Sequence, residues 1–191
     1  MKEVTLQVPD GKKVEWREVN GVTVPVLIDE KQQDNRPVTE RIKTFEDAYY
    51  ALGDEHPLVR EWNAIADVVR TAGGFSNELI AYLKIRIIAA ALNEGWEPTF
   101  EKGEYRWAPW FSLYTQSEID EMDEDDKGRV LGRSNFSANA RAGVAYSNTG
   151  YASTYSRPYY GGRLCFKSEA LAEYAGTQFL KEWSDLMMFT K

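Results

Sequence analysis

Residues 76–95 read SNELIAYLKIRIIAAALNEG, and this stretch decides the fold more than any other. Ser76 stands where a helix N-cap is expected, and Gly95 stands where the helix would end. Between them, apolar residues recur at helical spacing around much of the circumference, namely Leu79, Ile80, Leu83, Ile87, Ile88 and Ala91. A helix that is apolar on most sides is buried by its neighbours. We therefore predict that this helix, which runs to about Leu92, forms the core of the domain.

Two further helices are predicted before the central one. Thr44 can cap a short helix over Phe45–Leu52, and Gly53 sits where its C-terminal cap would lie. Pro57 suits the first turn of the next helix, which would run to about Thr71.

The first forty residues have a different pattern. Val14–Val19 and Val22–Ile28 are rich in β-branched residues, and Asn20-Gly21 between them is a strong hairpin signal. Residues 29–40 are polar, contain Pro37 and are typical of an exposed linker. We therefore divide the chain into residues 1–40, a β-hairpin region with a linker, and residues 41–191, an α+β domain.

Strands are predicted after the core helix. Trp96–Phe100 and Tyr105–Tyr114 are aromatic and typical of strands, and the acidic residues 117–126 indicate a turn or short helix. Ser168 can cap a final helix over Glu169–Met188. Helices and strands are thus largely segregated, which is typical of the α+β class. The expected domain has helices packed on a mainly antiparallel sheet with long loops.

Charge and composition limit the function classes. The formal net charge of −7 argues against a general binder of polyanions, and the single cysteine, Cys165, allows no internal disulfide. The N-terminus lacks the apolar run of a signal peptide, and the longest apolar stretch, Ile85–Leu92, is too short to cross a bilayer. We expect a soluble protein with no membrane span. A single cysteine among 191 residues fits a reducing compartment such as a cytoplasm, or assembly there, better than disulfide-stabilised secretion.

Residues that could support catalysis are few. His56 is the only histidine and precedes a helix, where it can be exposed or act as a cap. Cys165 lies in an apolar run and is expected to be a buried, inert thiol. The acidic run 118–126 does not fit a calcium loop, because Lys127 would occupy a ligand position. We therefore expect no enzyme, no cofactor and no metal site.

Four aromatic residues of one predicted strand could stack on a ligand, but such residues more often form a core. They are Trp107, Trp110, Phe111 and Tyr114.

The segment 128–166 is the candidate functional region. It contains no Lys, Glu, Gln, Trp or Met, although these five types are common elsewhere, and it has no acidic residue. It carries five Arg and a charge of +5, which leaves −12 for the rest of the chain. Tyr, Ser, Asn and Gly dominate, as they do in adaptable contact surfaces. We expect Gly128–Arg133 and Arg163–Phe166 to be scaffold strands and the contact residues to lie between them. Ordinary turn and loop composition is the alternative explanation: it accounts for the Gly and Asn, and it accounts less well for the missing Lys, Glu and Gln.

A genetic mechanism accounts for the missing types. Codons that end in a pyrimidine never encode Lys, Glu, Gln, Trp or Met, and randomising the adenines of Asn codons keeps that pyrimidine. The products include Asn, Ser, Tyr, Thr, Arg, Phe, Pro, Ala, Val and Gly, which are nearly all the residue types of this segment. Diversity-generating retroelements mutate their target genes in this way. The variable proteins that they target present the mutated residues on a scaffold resembling the C-type lectin fold.

Four pieces of the chain carry a resemblance to a family of phage and prophage proteins of gut bacteria. They are RIKTFEDAYYALG from Arg41, AYLKIRIIAAALNEGWEP from Ala81, YRWAPWFSLYT from Tyr105 and GGRLCFKSEALAEYAGTQFLKEW from Gly161. Together they span about residues 41–188. The strand containing Leu164-Cys165-Phe166 is similar to the closing strand of the retroelement variable proteins, although those proteins end soon after it and this chain continues into a helix. The resemblance implies a C-type-lectin-like domain and a role in recognising a partner.

Two functions remain open from the sequence. The first is a non-enzymatic protein that binds a protein or glycan on a cell surface or virion. The second is a nucleic-acid-binding protein of phage DNA or RNA metabolism, which the local +5 favours and the −12 elsewhere disfavours. The expected contact residues are Asn135, Phe136, Asn139, Arg141, Tyr146, Asn148, Tyr151, Ser153, Thr154, Tyr155, Arg157, Tyr159 and Tyr160.

Overall fold

The protein is described by a computed structural model that covers residues 7–19, 21–29, 34–72, 77–132, 143–152 and 163–187. It is an α+β protein, as predicted, and every described strand pair is antiparallel. The chain divides into two compact units, residues 1–36 and residues 37–191. No helix in the described ranges is both long and apolar enough to span a membrane.

The first unit contains the predicted hairpin. Strand β1, Lys12–Val19, pairs with β2, Val22–Asp29, so that Val19 faces Val22 across the turn. Gly21 has a φ of 78°, which a residue without a Cβ adopts at little cost. The hairpin prediction from Asn20-Gly21 is therefore confirmed, although Asn20 itself lies outside the described residues.

Four helices open the second unit. They are α1, Val38–Arg41; α2, Phe45–Leu52; α3, Pro57–Ala72; and α4, Asn77–Asn93. Thr44 caps α2 as predicted, because its hydroxyl accepts a hydrogen bond from the Asp47 N–H and the Asp47 carboxylate accepts one from the Thr44 N–H. The four-residue helix α1 was not predicted, and its residues 38–40 fall in the expected linker 29–40.

Helix α4 is the core helix that its sequence predicts. It packs against α2, α3 and the two C-terminal helices, and its Ile85, Ile87, Ile88 and Leu92 are almost fully buried. The C-terminal helices are α7, Glu169–Gln178, and α8, Leu180–Met187. A single helix was expected there; it breaks at the buried Phe179, whose ψ of 32° departs from helical geometry.

The sheet of the second unit has the order β3-β5-β4. Its strands are β3, Arg106–Tyr114; β4, Leu131–Gly132; and β5, Gly143–Ala152. Two short helices connect β3 to β4, namely α5, Gln116–Glu121, and α6, Glu124–Lys127. The acidic run therefore forms helices, each capped at its start by Thr115 or Asp123.

Helix α7 lies across β3 and β5 and makes one layer against the sheet. Gly176 permits this close approach, since a Cβ there would lie 2.6 Å from Tyr146 Cδ2 and 2.7 Å from Pro109 Cβ. On its other side the same helix joins the cluster that contains α4, through Leu171, Ala172 and Ala175. Helix α7 thus lies between the sheet and the helical core, and α8 also reaches the sheet, since Trp183 packs on Phe111.

Three strand predictions need correction. Residues 96–100 form no strand: the Glu104 carboxylate accepts hydrogen bonds from the Thr99 and Phe100 N–H groups, and Phe100 has a φ of 62°. A left-handed residue cannot continue a strand. The expected scaffold strands 128–133 and 163–166 are reduced to Leu131–Gly132 and to one bridge between Trp107 and Phe166.

Candidate binding surface

Strand β5 carries the only predicted contact residues that the structure describes: Tyr146, Asn148 and Tyr151. It is the central strand: β3 pairs along most of its length, whereas β4 pairs only at its start, where Leu131 and Gly132 face Val144 and Gly143. The other predicted contact residues lie outside the described residues, namely Asn135, Phe136, Asn139, Arg141, Ser153, Thr154, Tyr155, Arg157, Tyr159 and Tyr160.

A β-bulge separates Tyr146 from Asn148. Trp110 faces Asn148 and Phe111 faces Tyr146, so Ser147 is an extra residue with no partner across β3. Residues two apart in a regular strand point to the same face. The bulge instead sends Tyr146 toward α7 and leaves Asn148 on the opposite, exposed face. Sequence spacing alone would have placed the two side chains together.

Tyr146 is a packing residue, which corrects its predicted role as an exposed anchor. Its ring lies against Gly176 and Phe111, with 6.5 Å between the ring centroids of Phe111 and Tyr146. Burial, together with the negative charges of Glu173 and Glu169, raises the pKa of the Tyr146 phenol above its ordinary value. The phenol is therefore a neutral hydrogen-bonding group in the layer between the sheet and α7.

Tyr151 belongs to an exposed cluster of three aromatic rings, which we call the aromatic cluster: Tyr105, Trp107 and Tyr151. The Tyr105 and Tyr151 centroids are 4.8 Å apart with perpendicular rings, and Trp107 lies 5.2 Å from Tyr151. Tyr151 is 60% exposed and Tyr105 is 53% exposed. Edge-to-face packing holds the rings while leaving much of their surface in contact with solvent. The cluster is a partly exposed apolar surface at one end of the sheet.

The opposite face of the sheet presents Trp110. Its indole ring lies over Gly150, where a Cβ would come within 2.4 Å of the indole Nε1, and it faces the exposed Asn148 across the strands. The aromatic residues of β3 therefore have different roles, in the core or at the surface. Phe111 packs on Trp183 of α8 in the core, whereas Trp110 is partly exposed.

The two undescribed parts of the segment are attached to opposite ends of β5. Residues 133–142 connect β4 to Gly143, and residues 153–162 follow Ala152. Ten residues of strand separate these points by about 30 Å. The predicted contact residues therefore form two groups with separate attachment points, which chain order alone could not show.

Residues 163–167, which follow the 153–162 connection, are held by hydrogen bonds and an ion pair to α4 and the residue after it. Asn93 of α4 donates a hydrogen bond to the Cys165 carbonyl, 2.8 Å away, and its Oδ1 accepts one from the Lys167 N–H. The Lys167 ammonium pairs with Glu94, and this contact, with that of Arg41, lowers the pKa of the Glu94 carboxyl. The segment that closes the 153–162 connection is thus bound to the core helix.

The residues considered for catalysis have structural roles. His56 Nδ1 accepts a hydrogen bond from the Leu58 N–H, 3.2 Å away, at the start of α3. Cys165 is buried, and burial raises the pKa of its thiol to about 11, which keeps it protonated at neutral pH. Within the described ranges, no three His, Cys, Asp or Glu side chains are grouped so that they could hold a metal ion.

Sequence reasoning missed Tyr105 as a contact residue. The position of Tyr105 next to the aromatic strand could have indicated it, but only the pairing of Trp107 with Tyr151 brings Tyr105 beside the segment 128–166.

Comparison with known proteins adds nothing to this geometry: the chain matches no family model, and neither a curated protein nor a solved structure is significantly similar to it.

Proposed function

We propose that the protein is a non-enzymatic ligand-binding protein of phage or prophage origin that contacts a protein or glycan on a cell surface or virion. The contact surface comprises the aromatic cluster and the segment 133–162, diversified by a retroelement and carried on a C-type-lectin-like scaffold. The observation that carries the proposal is the aromatic cluster itself. Three partly exposed rings stand at the end of β5 from which residues 153–162 depart.

The chemistry of this end of the sheet supports binding. Exposed Tyr and Trp are the residues most often found at binding hot spots, because they offer large rigid areas with polar tips. The neighbouring segment adds Tyr, Arg, Asn and Ser, which make adaptable polar contacts. The supporting strand is paired with β3 at this end, where Trp107 faces Tyr151, so little conformational entropy is lost there on binding.

The binding test uses the labelled full-length protein on a glycan array, on bacterial cells and on purified phage particles. Tyr105→Ala and Tyr151→Ala should each weaken binding by about tenfold, which corresponds to loss of a hot-spot ring. Tyr50→Ala is the matched control, since Tyr50 is 73% exposed on α2 and outside the cluster. Absence of binding to all three targets, or equal effects of the three substitutions, would contradict the proposal.

The segment itself is tested by replacing several contact residues together. Substituting Asn135, Asn139, Tyr155 and Arg157 by Ala should abolish binding while changing the melting temperature little, because these residues are predicted to contact the ligand rather than to form the core. A large loss of folding would show that the segment is structural. For diversification, the decisive observation is a nearby reverse-transcriptase gene with a near-copy of the coding sequence that differs mainly at adenines.

The alternative, nucleic-acid binding, is an outcome of the same assay. Stacked aromatic rings with nearby Arg residues can hold single-stranded bases. Binding of single-stranded DNA that falls steeply with added salt would favour the alternative. The −12 charge outside the segment opposes it.

A further inference from the structure

A cavity of about 660 Å³ lies in the helical part of the second unit, and the proposed binding surface does not use it. Its floor is the last turn of α4, at Ala90 and Asn93, and one wall is the start of α3. Residues 95–100 form the opposite wall, and Arg163 completes it. This volume is in the range of small-molecule sites, which combine apolar walls with a few polar groups.

Phe100 ends the wall formed by residues 95–100, and its backbone conformation is unusual. Phe100 lines the cavity with a φ of 62°, although it is a bulky side chain and no glycine. The Glu104 carboxylate holds its N–H, and the Arg106 guanidinium lies 4.7 Å from the centre of its ring. Despite these contacts the ring remains 54% exposed. Strain of this kind is maintained only when the surrounding structure enforces it, and it concentrates at ligand sites.

Hydrogen-bonding groups line the rest of the cavity. Because His56 Nδ1 accepts the Leu58 N–H, the neutral imidazole carries its proton on Nε2 and can donate. Arg163 is exposed and has no ion-pair or hydrogen-bond partner among the residues that the structure describes. Arg86 is held by Glu61 at 2.9 Å. Glu97 supplies a carboxylate acceptor on the same wall as Phe100.

We propose that this cavity binds a small molecule with a planar ring, one acidic group and an N–H donor. The ring stacks on Trp96 and Phe100, as flat π systems do. The acidic group is held by Arg163 and His56, and the N–H donates to Glu97. Nucleoside monophosphates and aromatic amino acids share this chemistry. The site consists of scaffold residues and does not depend on the proposed surface function.

The test is calorimetric titration of the full-length protein with AMP, adenosine, L-tryptophan, tryptamine and inorganic phosphate. AMP or L-tryptophan should bind saturably with a Kd below about 1 mM. The analogue that lacks the acidic group, which is adenosine for AMP and tryptamine for L-tryptophan, should bind about tenfold more weakly. Arg163→Ala should weaken binding about tenfold, whereas Arg60→Ala, which removes an exposed arginine outside the cavity, should not.

Phe100→Gly is the second variant, because glycine accepts the left-handed backbone and the loop keeps its shape. It should weaken binding while leaving the melting temperature close to that of the unsubstituted protein. The proposal is overturned if neither ringed acid binds, if phosphate binds as tightly as AMP, or if Arg163→Ala has no more effect than Arg60→Ala. If Phe100→Gly binds AMP and L-tryptophan as tightly as the unsubstituted protein does, the proposed stacking on Phe100 is wrong.

Discussion

Single residues determine how closely the sheet approaches its helices. Gly176 and Gly150 each lie under an aromatic side chain, but the obstacles differ. At Gly176 a Cβ would meet Tyr146 and Pro109, which are packed between the sheet and α7. At Gly150 it would meet only the indole of Trp110, which is 38% exposed and can turn outward.

This difference predicts unequal costs for the two alanine substitutions. Both gain about 0.5–1 kcal/mol from reduced freedom of the unfolded backbone. Gly176→Ala should still lower the free energy of unfolding by about 1–2 kcal/mol through overpacking, whereas Gly150→Ala should change it by less than about 0.5 kcal/mol. Urea denaturation of both variants measures the difference, and equal costs would show that α7 moves aside easily.

The buried thiol of Cys165 makes stability depend on alkaline pH. Burial raises its folded pKa from 9.0 to about 11, so the folded state keeps a proton that the unfolded state loses. The resulting stabilisation is fully present below pH 9.0 and disappears as the pH rises toward about 11. Lysines and tyrosines titrate in the same window, so the measurement is the difference between the unsubstituted protein and Cys165→Ala. A constant difference from pH 8 to pH 11 would contradict this prediction.

At the scale of elements, the helices begin where their capping residues stand. Thr44, Thr115 and Ser168 each accept a hydrogen bond from an N–H of the first helical turn. The Asp47 carboxylate of α2 accepts a hydrogen bond from the Lys43 N–H, and this bond is the main cause that lowers the pKa of the Asp47 carboxyl. That carboxylate therefore stabilises the fold above its unfolded pKa of 3.8, and the contribution is lost as the pH falls through the folded value.

We predict that Thr44→Ala destabilises the protein by about 1 kcal/mol, because it leaves the Asp47 N–H without its partner. Thr44→Ser keeps the hydroxyl and should remain within about 0.5 kcal/mol of the unsubstituted protein. Thermal unfolding at pH 7 compares the two variants. If serine proves as costly as alanine, the Thr44 methyl group rather than the cap is responsible.

At the scale of the whole molecule, the two units differ in how they can be stable. Residues 37–191 contain a buried cluster that includes Ile85, Leu92, Phe166 and Trp183. The described part of residues 1–36 is a two-stranded hairpin in which Trp16 and Val22 are largely exposed. An isolated two-stranded hairpin is only marginally stable in water.

A chain consisting of residues 37–191 should therefore fold by itself. We expect it to unfold in a single cooperative transition, with a melting temperature within about 5 °C of the full chain, since its core is internal. Circular dichroism and calorimetry test this. Loss of the cooperative transition would mean that residues 1–36 supply part of the core.

Local signals were sufficient for much of the fold. Thr44, Ser168, Gly53 and the Asn20-Gly21 turn located element ends, because capping and turn formation involve only neighbouring residues. The periodicity of residues 77–93 identified the core helix. Residues 96–100 were assigned wrongly because aromatic residues are common in strands, while the hydrogen bonds from Glu104 that form the loop leave no periodic signal.

The sequence by itself determined the α+β class, the core helix and the unusual segment 128–166, because these follow from composition and local spacing. Only the tertiary structure decided which side chains of that segment share a surface. The bulge at Ser147 reverses the orientation of Tyr146, and β5 places the two halves of the segment at opposite ends. The aromatic cluster likewise exists only because Tyr151 pairs with Trp107, 44 positions away along the chain. Such pairings are made between distant parts of the chain, and their geometry depends on the whole sheet rather than on neighbouring residues.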